Sequence, residues 1–392
     1  MPYKIKTMNN ISPNGLALFG ARYSVSQDEP RPDAILVRSS KVNVAEFPGV
    51  LAVARAGAGI NNITVDKASE LGICVFNTPG ANANAVAELT FTVLGIALRC
   101  IHHGLEFAVS LRTIRDDLEL NATIEASKSK LSGSEIAGKR MVVIGLGKIG
   151  VLVANGAISR NMTAVAYDPH LNVRNVHQLY SSVTIAESLI DAIDGADILS
   201  VHVPLDESTR GLIGAQVLAR LKKGAVVMNF ARGPVVDTEA IIQALDQNQV
   251  QTYLTDFPTH KFLNHPKVIC TPHLGASTAE AEENCATMAV LQLKDFLEFG
   301  VVRNSVNFPT IDGKPAHNVR SRITVVNRDV PQMIAQITDV IGKAGLNIHS
   351  FKNESNGKIG YNIVDLDVDV GTDVLERVRR VPNIIAARHL SF

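Results

Sequence analysis

The stretch Lys139–Gly150, KRMVVIGLGKIG, decides the fold of the central part of the chain. Its apolar run Met-Val-Val-Ile predicts a buried strand, and the following G-x-G-x-x-G pattern predicts a tight turn into a helix. Gly145 would make the turn, Gly147 would let the backbone approach a pyrophosphate, and Gly150 would let helix and strand pack closely. The N–H groups at the helix start would bind the phosphates, so the stretch predicts a dinucleotide-binding unit.

An acidic residue downstream indicates which dinucleotide binds. Asp168 ends the next strand-like run, TAVAYD, about 20 residues after the glycines, where a carboxylate accepts hydrogen bonds from ribose hydroxyls. It would repel a 2′-phosphate, which favours NAD over NADP. Further strand-like runs follow in ADILSVHVP, GAVVMNFAR, VQTYLTDF and KVICTPH. Their alternation with helical segments predicts an α/β, doubly wound parallel sheet of Rossmann type.

The composition argues against nucleic acid, a membrane surface and a metal ion as partners. Lysine and arginine number 38, balanced by 38 aspartates and glutamates, so nucleic acid or a membrane surface is not expected. The four cysteines are scattered and never approach metal-ligand spacing, which predicts reduced thiols, no metal site and a cytoplasmic protein. The first residues lack the apolar core of a signal peptide, and AVAELTFTVLGIAL is too short to span a bilayer.

The 392 residues divide into three predicted domains. Residues 1–100 and 284–310 predict a discontinuous substrate-binding domain with a flavodoxin-like sheet. Residues 101–283 predict the NAD-binding domain inserted into it. A linker with Pro, Gly and Asn is expected at 311–318, and residues 319–392 show a βαββαβ order that predicts a ferredoxin-like tail domain.

Three side chains near predicted strand ends are candidates for catalysis. His273 lies between the strand KVIC and a helix that opens with a capping box at Ser277, and imidazole suits general acid–base chemistry near neutral pH. Arg232, just past GAVVMNF, could bind a carboxylate bidentately and polarise a neighbouring oxygen. A catalytic histidine normally needs an acid to orient it, and Asp256 is the nearest acidic candidate.

A second glycine-containing segment, RAGAGINNI at residues 55–63, predicts an anion site in the first domain. Backbone N–H groups after the strand could bind an anionic substrate, assisted by two arginines, at least one of which could instead be a solvated charge. The candidate substrate residues are Arg38, Arg55, Ala56, Gly57, Ala58 and Asn77.

These motifs together resemble the D-isomer-specific 2-hydroxyacid dehydrogenases and, within them, the D-3-phosphoglycerate dehydrogenases. The resemblance covers nearly the whole chain, through RAGAGINN, NTPGANANAVAE, GLGKIG, HVPLDEST, NFARGPVVD, TPHLGAST and NSVNFP. It implies NAD-dependent oxidation of 3-phospho-D-glycerate to 3-phosphohydroxypyruvate, the first step of L-serine biosynthesis, with Arg232 and His273 catalytic. It implies a cofactor site formed by Gly145, Gly147, Lys148, Ile149, Gly150, Asp168, His202, Val203, Pro204, Thr209, Phe230, Ala231, Arg232, Asp256, His273, Gly275 and Ala276.

Two residues depart from the family pattern. His260 stands where many members have the glutamate that pairs with the catalytic histidine, and a second imidazole cannot supply that negative charge. We therefore expect Asp256 to substitute for the glutamate. The tail resembles an ACT regulatory domain, but Gln332 replaces the usual glycine at the start of its first helix. Within this resemblance, a serine effector would bind the positions Asn327, Asp329 and Asn347.

The same sequence features are compatible with other functions. A hydroxypyruvate or glyoxylate reductase would use the same motifs on an unphosphorylated acid. NAD-sensing corepressors also share this fold, although the chain has neither the low-complexity tail nor the basic tract expected of them. The tail could be a dimerisation module without an effector. The resemblance implies a homodimer through the nucleotide domains, or a homotetramer that also uses the tails.

Overall fold

The computed structural model describes residues 2–392, which form sixteen strands and fourteen α-helices. The strands are β1 (Tyr3–Met8), β2 (Tyr23–Ser26), β3 (Ala34–Val37), β4 (Ala52–Arg55), β5 (Cys74–Phe76), β6 (Arg140–Ile144), β7 (Thr163–Tyr167), β8 (Thr184–Ile185), β9 (Ile198–Val201), β10 (Ala225–Asn229), β11 (Val250–Thr255), β12 (Val268–Cys270), β13 (Ser321–Arg328), β14 (Ile348–Ser355), β15 (Ile359–Leu366) and β16 (Ile384–Ser391). The α-helices are α1 (Pro13–Leu16), α2 (Val65–Glu70), α3 (Ala83–Leu98), α4 (Ile101–Ser110), α5 (Asp117–Ser127), α6 (Lys148–Ile158), α7 (Val173–Val176), α8 (Leu189–Ile193), α9 (Ala215–Arg220), α10 (Thr238–Asp246), α11 (His260–Leu263), α12 (Ala279–Phe299), α13 (Met333–Lys343) and α14 (Thr372–Arg379).

The chain folds as two compact units. The first unit comprises Met1–Asn82 and Ala279–Phe392, and the second comprises Ala83–Thr278. The predicted domain boundaries at 101 and 283 therefore differ from the limits of the second unit. Helix α3, expected with residues 1–100, shares a hydrophobic core with α6 in the second unit.

A five-stranded parallel sheet with the order β2-β1-β3-β4-β5 forms the centre of the first unit. This is the flavodoxin-like order, and its central strand β3, Ala34–Val37, is continuously apolar and fully buried, as expected of a parallel strand covered on both faces. Helix α12 packs on this sheet through its buried face, which includes Cys285, Ala289 and Leu293. Helix α12 therefore belongs to the first unit.

The tail forms a four-stranded antiparallel sheet with the order β14-β15-β13-β16. Helices α13 and α14 cover one of its faces. Side chains from the other face, including Val326 and Tyr361, belong to the hydrophobic core of the five-stranded sheet. Ile311, the first residue of the predicted linker, is buried and pairs with Val302.

The second unit contains a seven-stranded parallel sheet with the order β12-β11-β10-β9-β6-β7-β8. Strands are added on one side of β6 up to β8 and on its other side from β9 onward. Doubly wound folds bind nucleotides at this switch in strand order, between β6 and β9. Helices α4 and α5 contain no buried residue. Within residues 2–392, no single helix is long and apolar enough to cross a membrane, and the helix pair Ala83–Leu98 and Ile101–Thr113 is bent by 60°.

Candidate active site

The three glycines of the turn after β6 are each explained by a different local geometry. Gly145 has a φ of 96°, and a Cβ there would lie 2.7 Å from the carbonyl oxygen of His202. A Cβ on Gly150 would lie 1.8 Å from the carbonyl oxygen of Gly145, so only glycine lets α6 begin this close to the strand. At Gly147 nothing lies within 4 Å of a Cβ position, which leaves space at the start of α6.

Asp168 holds this turn from the end of β7. One carboxylate oxygen accepts a hydrogen bond from Leu146 N at 2.7 Å, and the other accepts from His170 N at 2.8 Å. Each oxygen retains a lone pair for a ribose hydroxyl. Burial lowers the pKa of His202 to about 3, so its imidazole is neutral, and its buried Nδ1 has no partner within residues 2–392. The space at Gly147, this carboxylate and this unpaired nitrogen fit a bound dinucleotide.

The loop that carries Arg232 is fixed by Asn229, a fully buried residue at the end of β10. The Asn229 amide donates to Arg232 O at 2.9 Å, and its side-chain oxygen accepts from Ala231 N at 3.1 Å. The exposed Arg232 guanidinium donates to Ala231 O, and no carboxylate of residues 2–392 forms an ion pair with it. It is therefore available for an anionic ligand. Asn229 was not predicted, although a polar residue closing a buried strand signals such a role.

Asp256 is 1% exposed and bonds the loop of His273. It accepts hydrogen bonds from Thr271 Oγ1 at 2.6 Å and from the backbone N–H groups of Leu274 and Gly275, each at 2.7 Å. No hydrogen bond joins its carboxylate to the His273 imidazole in the described chain. The expected direct pairing is thus replaced by bonds to the loop backbone, because the carboxylate lies beneath N–H groups that need acceptors.

Phe257 contacts both the loop of Arg232 and the loop of His273. Its ring lies 5.2 Å from that of His273 in an edge-to-face arrangement, and a Cβ on Gly233, next to Arg232, would lie 3.3 Å from its Cβ. His273 itself has a φ of 59°, a backbone conformation that side chains rarely adopt, and is exposed. His260, at the family's glutamate position, begins α11 and is also exposed.

The other predicted cofactor residues line the same strand ends of the second unit. The side chains of Val203, Phe230 and Ala231 are buried, and Gly275 is buried beside Asp256. Thr209 donates to Pro204 O at 2.7 Å, which closes the loop after β9. Among residues 2–392 no cluster of three or more His, Cys, Asp or Glu side chains could hold a metal ion.

The predicted substrate residues lie together in the first unit, at the ends of β3, β4 and β5. Asn77 donates to Ala58 O at 2.6 Å, and Arg55 Nε donates to Arg38 O at 2.9 Å. The N–H groups of Ala56 and Gly57 are used by backbone carbonyls. Of the three predicted backbone donors, only that of Ala58 has no partner within residues 2–392.

Arg38 has a partner that the sequence did not indicate. Its guanidinium forms an ion pair with Glu282 of α12 at 2.6 Å, and the two side chains are 39% and 41% exposed. The two residues are distant in sequence, so no local pattern could have revealed the pair. It partly neutralises the candidate anion site.

The three predicted effector residues differ in exposure. Asn327 is buried, accepts from the Asn362 amide at 2.8 Å and donates to Arg328 O at 2.7 Å. Asp329 and Asn347 are exposed, and Asp329 accepts from Ser355 Oγ. Gln332, in the place of the usual glycine, has a φ of 70°, so the backbone retains the conformation that favours glycine.

Comparisons with known proteins agree with this geometry. Residues 104–275 match the D-isomer specific 2-hydroxyacid dehydrogenase, NAD binding domain. The chain is 32% identical over 307 residues to D-3-phosphoglycerate dehydrogenase of Bacillus subtilis, covering 74% of this chain but only 55% of that relative. It is 31% identical to D-3-phosphoglycerate dehydrogenase of Haemophilus influenzae, covering 88% of this chain and 82% of the relative. Hydroxypyruvate reductase of Thermotoga maritima is 35% identical, over 69% of this chain and 86% of its own.

A similar fold occurs in solved structures. NAD+-bound 3-phosphoglycerate dehydrogenase of Entamoeba histolytica superposes with a TM-score of 0.62 at 24% identity, covering 78% of this chain and 99% of that chain.

Proposed function

The chain belongs to the D-isomer-specific 2-hydroxyacid dehydrogenase family and carries its NAD-binding domain; from this premise we propose that it oxidises 3-phospho-D-glycerate to 3-phosphohydroxypyruvate. The observation that carries the proposal is the similarity to the Haemophilus phosphoglycerate dehydrogenase over most of both chains. The reaction would be the first step of L-serine biosynthesis. The four free cysteines support a cytoplasmic location.

Each catalytic residue has a role that its surroundings support. NAD, held by the turn of Gly145 and Gly147 and by Asp168, would supply the acceptor for the hydride of the carbon that carries the hydroxyl group. His273 removes the hydroxyl proton, and Arg232 binds the adjacent carboxylate and stabilises negative charge on the reacting oxygen. Asp256 holds the His273 loop through its bonds to Leu274 and Gly275.

Reduction of hydroxypyruvate is the second candidate. The Thermotoga relative carries that name, and the pairing of Arg38 with Glu282 leaves less positive charge for a phosphate dianion. A phosphorylated substrate would have to bind Arg38 alongside Glu282, whereas an unphosphorylated acid would not need this arginine.

The two functions are separated by measuring NADH formation and consumption with a panel of acids. We expect turnover of 3-phosphoglycerate at a higher kcat/KM than of glycerate, and we expect His273→Gln to reduce kcat by about 10²–10⁴-fold. Lys261→Gln, an exposed substitution in the same unit, is the control. Turnover of only unphosphorylated acids would refute the first proposal and support the second.

We also propose a homodimer formed through α4 and α5. Leu105 of α4 is 64% exposed and Leu118 of α5 is 81% exposed. Exposed apolar surface of this kind is typical of a protein–protein interface. A second copy of the chain would cover it. Light scattering should report twice the monomer mass for the native chain and a lower mass for Leu118→Glu. An unchanged mass in the variant would exclude this surface.

Serine is proposed as an inhibitor that binds the tail, as the resemblance to ACT domains suggests. Because Asn327 is turned into the sheet, the exposed pair Asp329 and Asn347 would have to provide the contacts. Calorimetric titration with serine tests this, and an absence of heat and of inhibition would reject it.

A further inference from the structure

The carbonyls at the C-terminal end of α12 accept hydrogen bonds from side chains of the tail and from Tyr3 of β1, whose hydroxyl donates to Leu297 O at 2.8 Å. The last carbonyls of a helix have no partner within the helix, and α12 has no basic residue in its last turn. Arg388 donates to Phe296 O at 2.5 Å and to Leu297 O at 3.4 Å. Arg322 donates to Phe299 O at 2.6 Å. Two cations therefore lie where the helix dipole favours positive charge, and both come from the tail.

Arg322 is held rigidly at this position. It is 1% exposed, and Asp365 accepts from its Nε at 2.5 Å and its Nη2 at 2.9 Å, while Gly313 O accepts from Nη1 at 2.9 Å. A buried charge is tolerated only when its donors are satisfied, so a displacement of this guanidinium would be costly. The tail therefore grips α12 at a fixed position.

Further contacts hold the tail against the C-terminal end of α12. The Tyr361 hydroxyl donates to Gly300 O at 2.8 Å. A Cβ on Gly300 would lie 2.4 Å from Thr324 of β13, so the strand approaches the helix end as closely as glycine permits. The Arg388 guanidinium also lies 4.7 Å from the centre of the Phe296 ring.

The other end of the same helix carries the partner of a candidate substrate residue. Glu282, in the first turn of α12, forms the 2.6 Å ion pair with Arg38. One turn further, Cys285 is 5% exposed within the core of the substrate domain. An α-helix of this length, about 30 Å, behaves as a rigid element, so a shift at Phe299 is transmitted to Glu282.

We infer that Arg388 and Arg322 are positioning residues for the substrate site, which act through α12 and Glu282 to place Arg38. The tail is then a structural part of the substrate domain, whether or not it binds an effector. This inference rests on the proposed function in one respect, namely that Arg38 binds the substrate anion.

The test compares Arg388→Met with Arg379→Met in the full-length chain. Arg379 is a matched control, because it donates to Ala387 O within the tail and does not touch α12. We expect Arg388→Met to raise KM for the acid by up to about fivefold. The limit follows from the partly exposed Arg38–Glu282 ion pair, which contributes at most about 1 kcal/mol. The kcat and the KM for NAD should stay unchanged. The variant Arg388→Lys should raise the KM for the acid less than Arg388→Met does. Equal KM values in the two methionine variants would overturn the inference.

A double-variant cycle separates positioning from general destabilisation. If Arg388 acts through Glu282, Arg388→Met should no longer raise KM in a Glu282→Gln background. An additive effect would show that Arg388 acts by another route.

Hydrogen exchange decides the matter independently of activity. We expect faster amide exchange along 279–290 in Arg388→Met than in Arg379→Met. If no acid is turned over, the proposed function fails. A difference in exchange would still support the positioning of α12 by Arg388, and equal exchange in the two variants would refute that positioning.

Discussion

The Asp256→Asn variant removes one charge beneath the His273 loop and leaves the side-chain volume nearly unchanged. Asp256 accepts three hydrogen bonds there, two of them from the backbone N–H groups of Leu274 and Gly275. Asparagine has one acceptor oxygen, so its amide nitrogen must face one of these buried donors. A hydrogen bond to a charged group contributes about 1.5–3 kcal/mol, and an unsatisfied buried donor costs about 1–3 kcal/mol. We expect the free energy of unfolding of the second unit to fall by about 2–4 kcal/mol.

Calorimetry and steady-state kinetics measure the two consequences. For a unit of this size the loss corresponds to a Tm lower by roughly 4–16 °C. We also expect kcat to fall, because His273 keeps its φ of 59° only while its loop is bonded in place. Asp246→Asn is the matched control, since Asp246 is 67% exposed and pairs only with His265. A variant at Asp256 that unfolds within about 1 °C of the native chain and retains kcat would refute this account of the loop.

Three further predictions concern other parts of the chain. Gly147→Ala should leave Tm within about 1 °C of the native value but raise KM for NAD, because only a ligand would meet the added methyl group; an unchanged KM would show that the pyrophosphate does not approach this glycine. Burial lowers the pKa of His202 from 6.5 to about 3, so the unfolded chain binds a proton that the folded chain does not, and stability falls as the pH drops below 6.5. Urea unfolding should show that His202→Gln reduces the loss of stability between pH 7 and pH 5 by about 1–2 kcal/mol, and an identical loss would contradict the assignment. Gln332→Gly should raise the free energy of unfolding by about 1 kcal/mol, because Gln332 is exposed and has a φ of 70°; a loss of stability would mean that its side chain contributes contacts.

The nucleotide-binding fold could be predicted because its signals are local. The strand before Gly145, the turn, and the carboxylate of Asp168 lie within a few dozen residues, and each is explained by sterics or hydrogen bonds inside that stretch. The order of elements in the tail was predictable for the same reason, since the apolar positions of a strand or helix repeat with a fixed period. The positive φ of Gln332 is the backbone conformation that the family's glycine at this position predicts.

The role of Asp256 shows where sequence reasoning fails within the site. Its nearness to His273 in the predicted fold suggested a direct pair, but the side chain turns towards Leu274 N and Gly275 N. Hydrogen-bond direction depends on rotamers and loop path, which a sequence pattern does not specify. The role of Asn229 was missed although its place at the end of a buried strand indicated a polar role, because the sequence does not say which loop groups its side chain bonds.

The sequence by itself therefore determined the dinucleotide fold, the family and the candidate residues Arg232 and His273, because short-range geometry and motif spacing are written in consecutive residues. Only the tertiary structure decided that Glu282 pairs with Arg38 and that Arg322 and Arg388 cap α12. These contacts join segments distant in the chain. The caps form because the last carbonyls of a helix have no partner within it, and only the packed fold determines which side chains reach them.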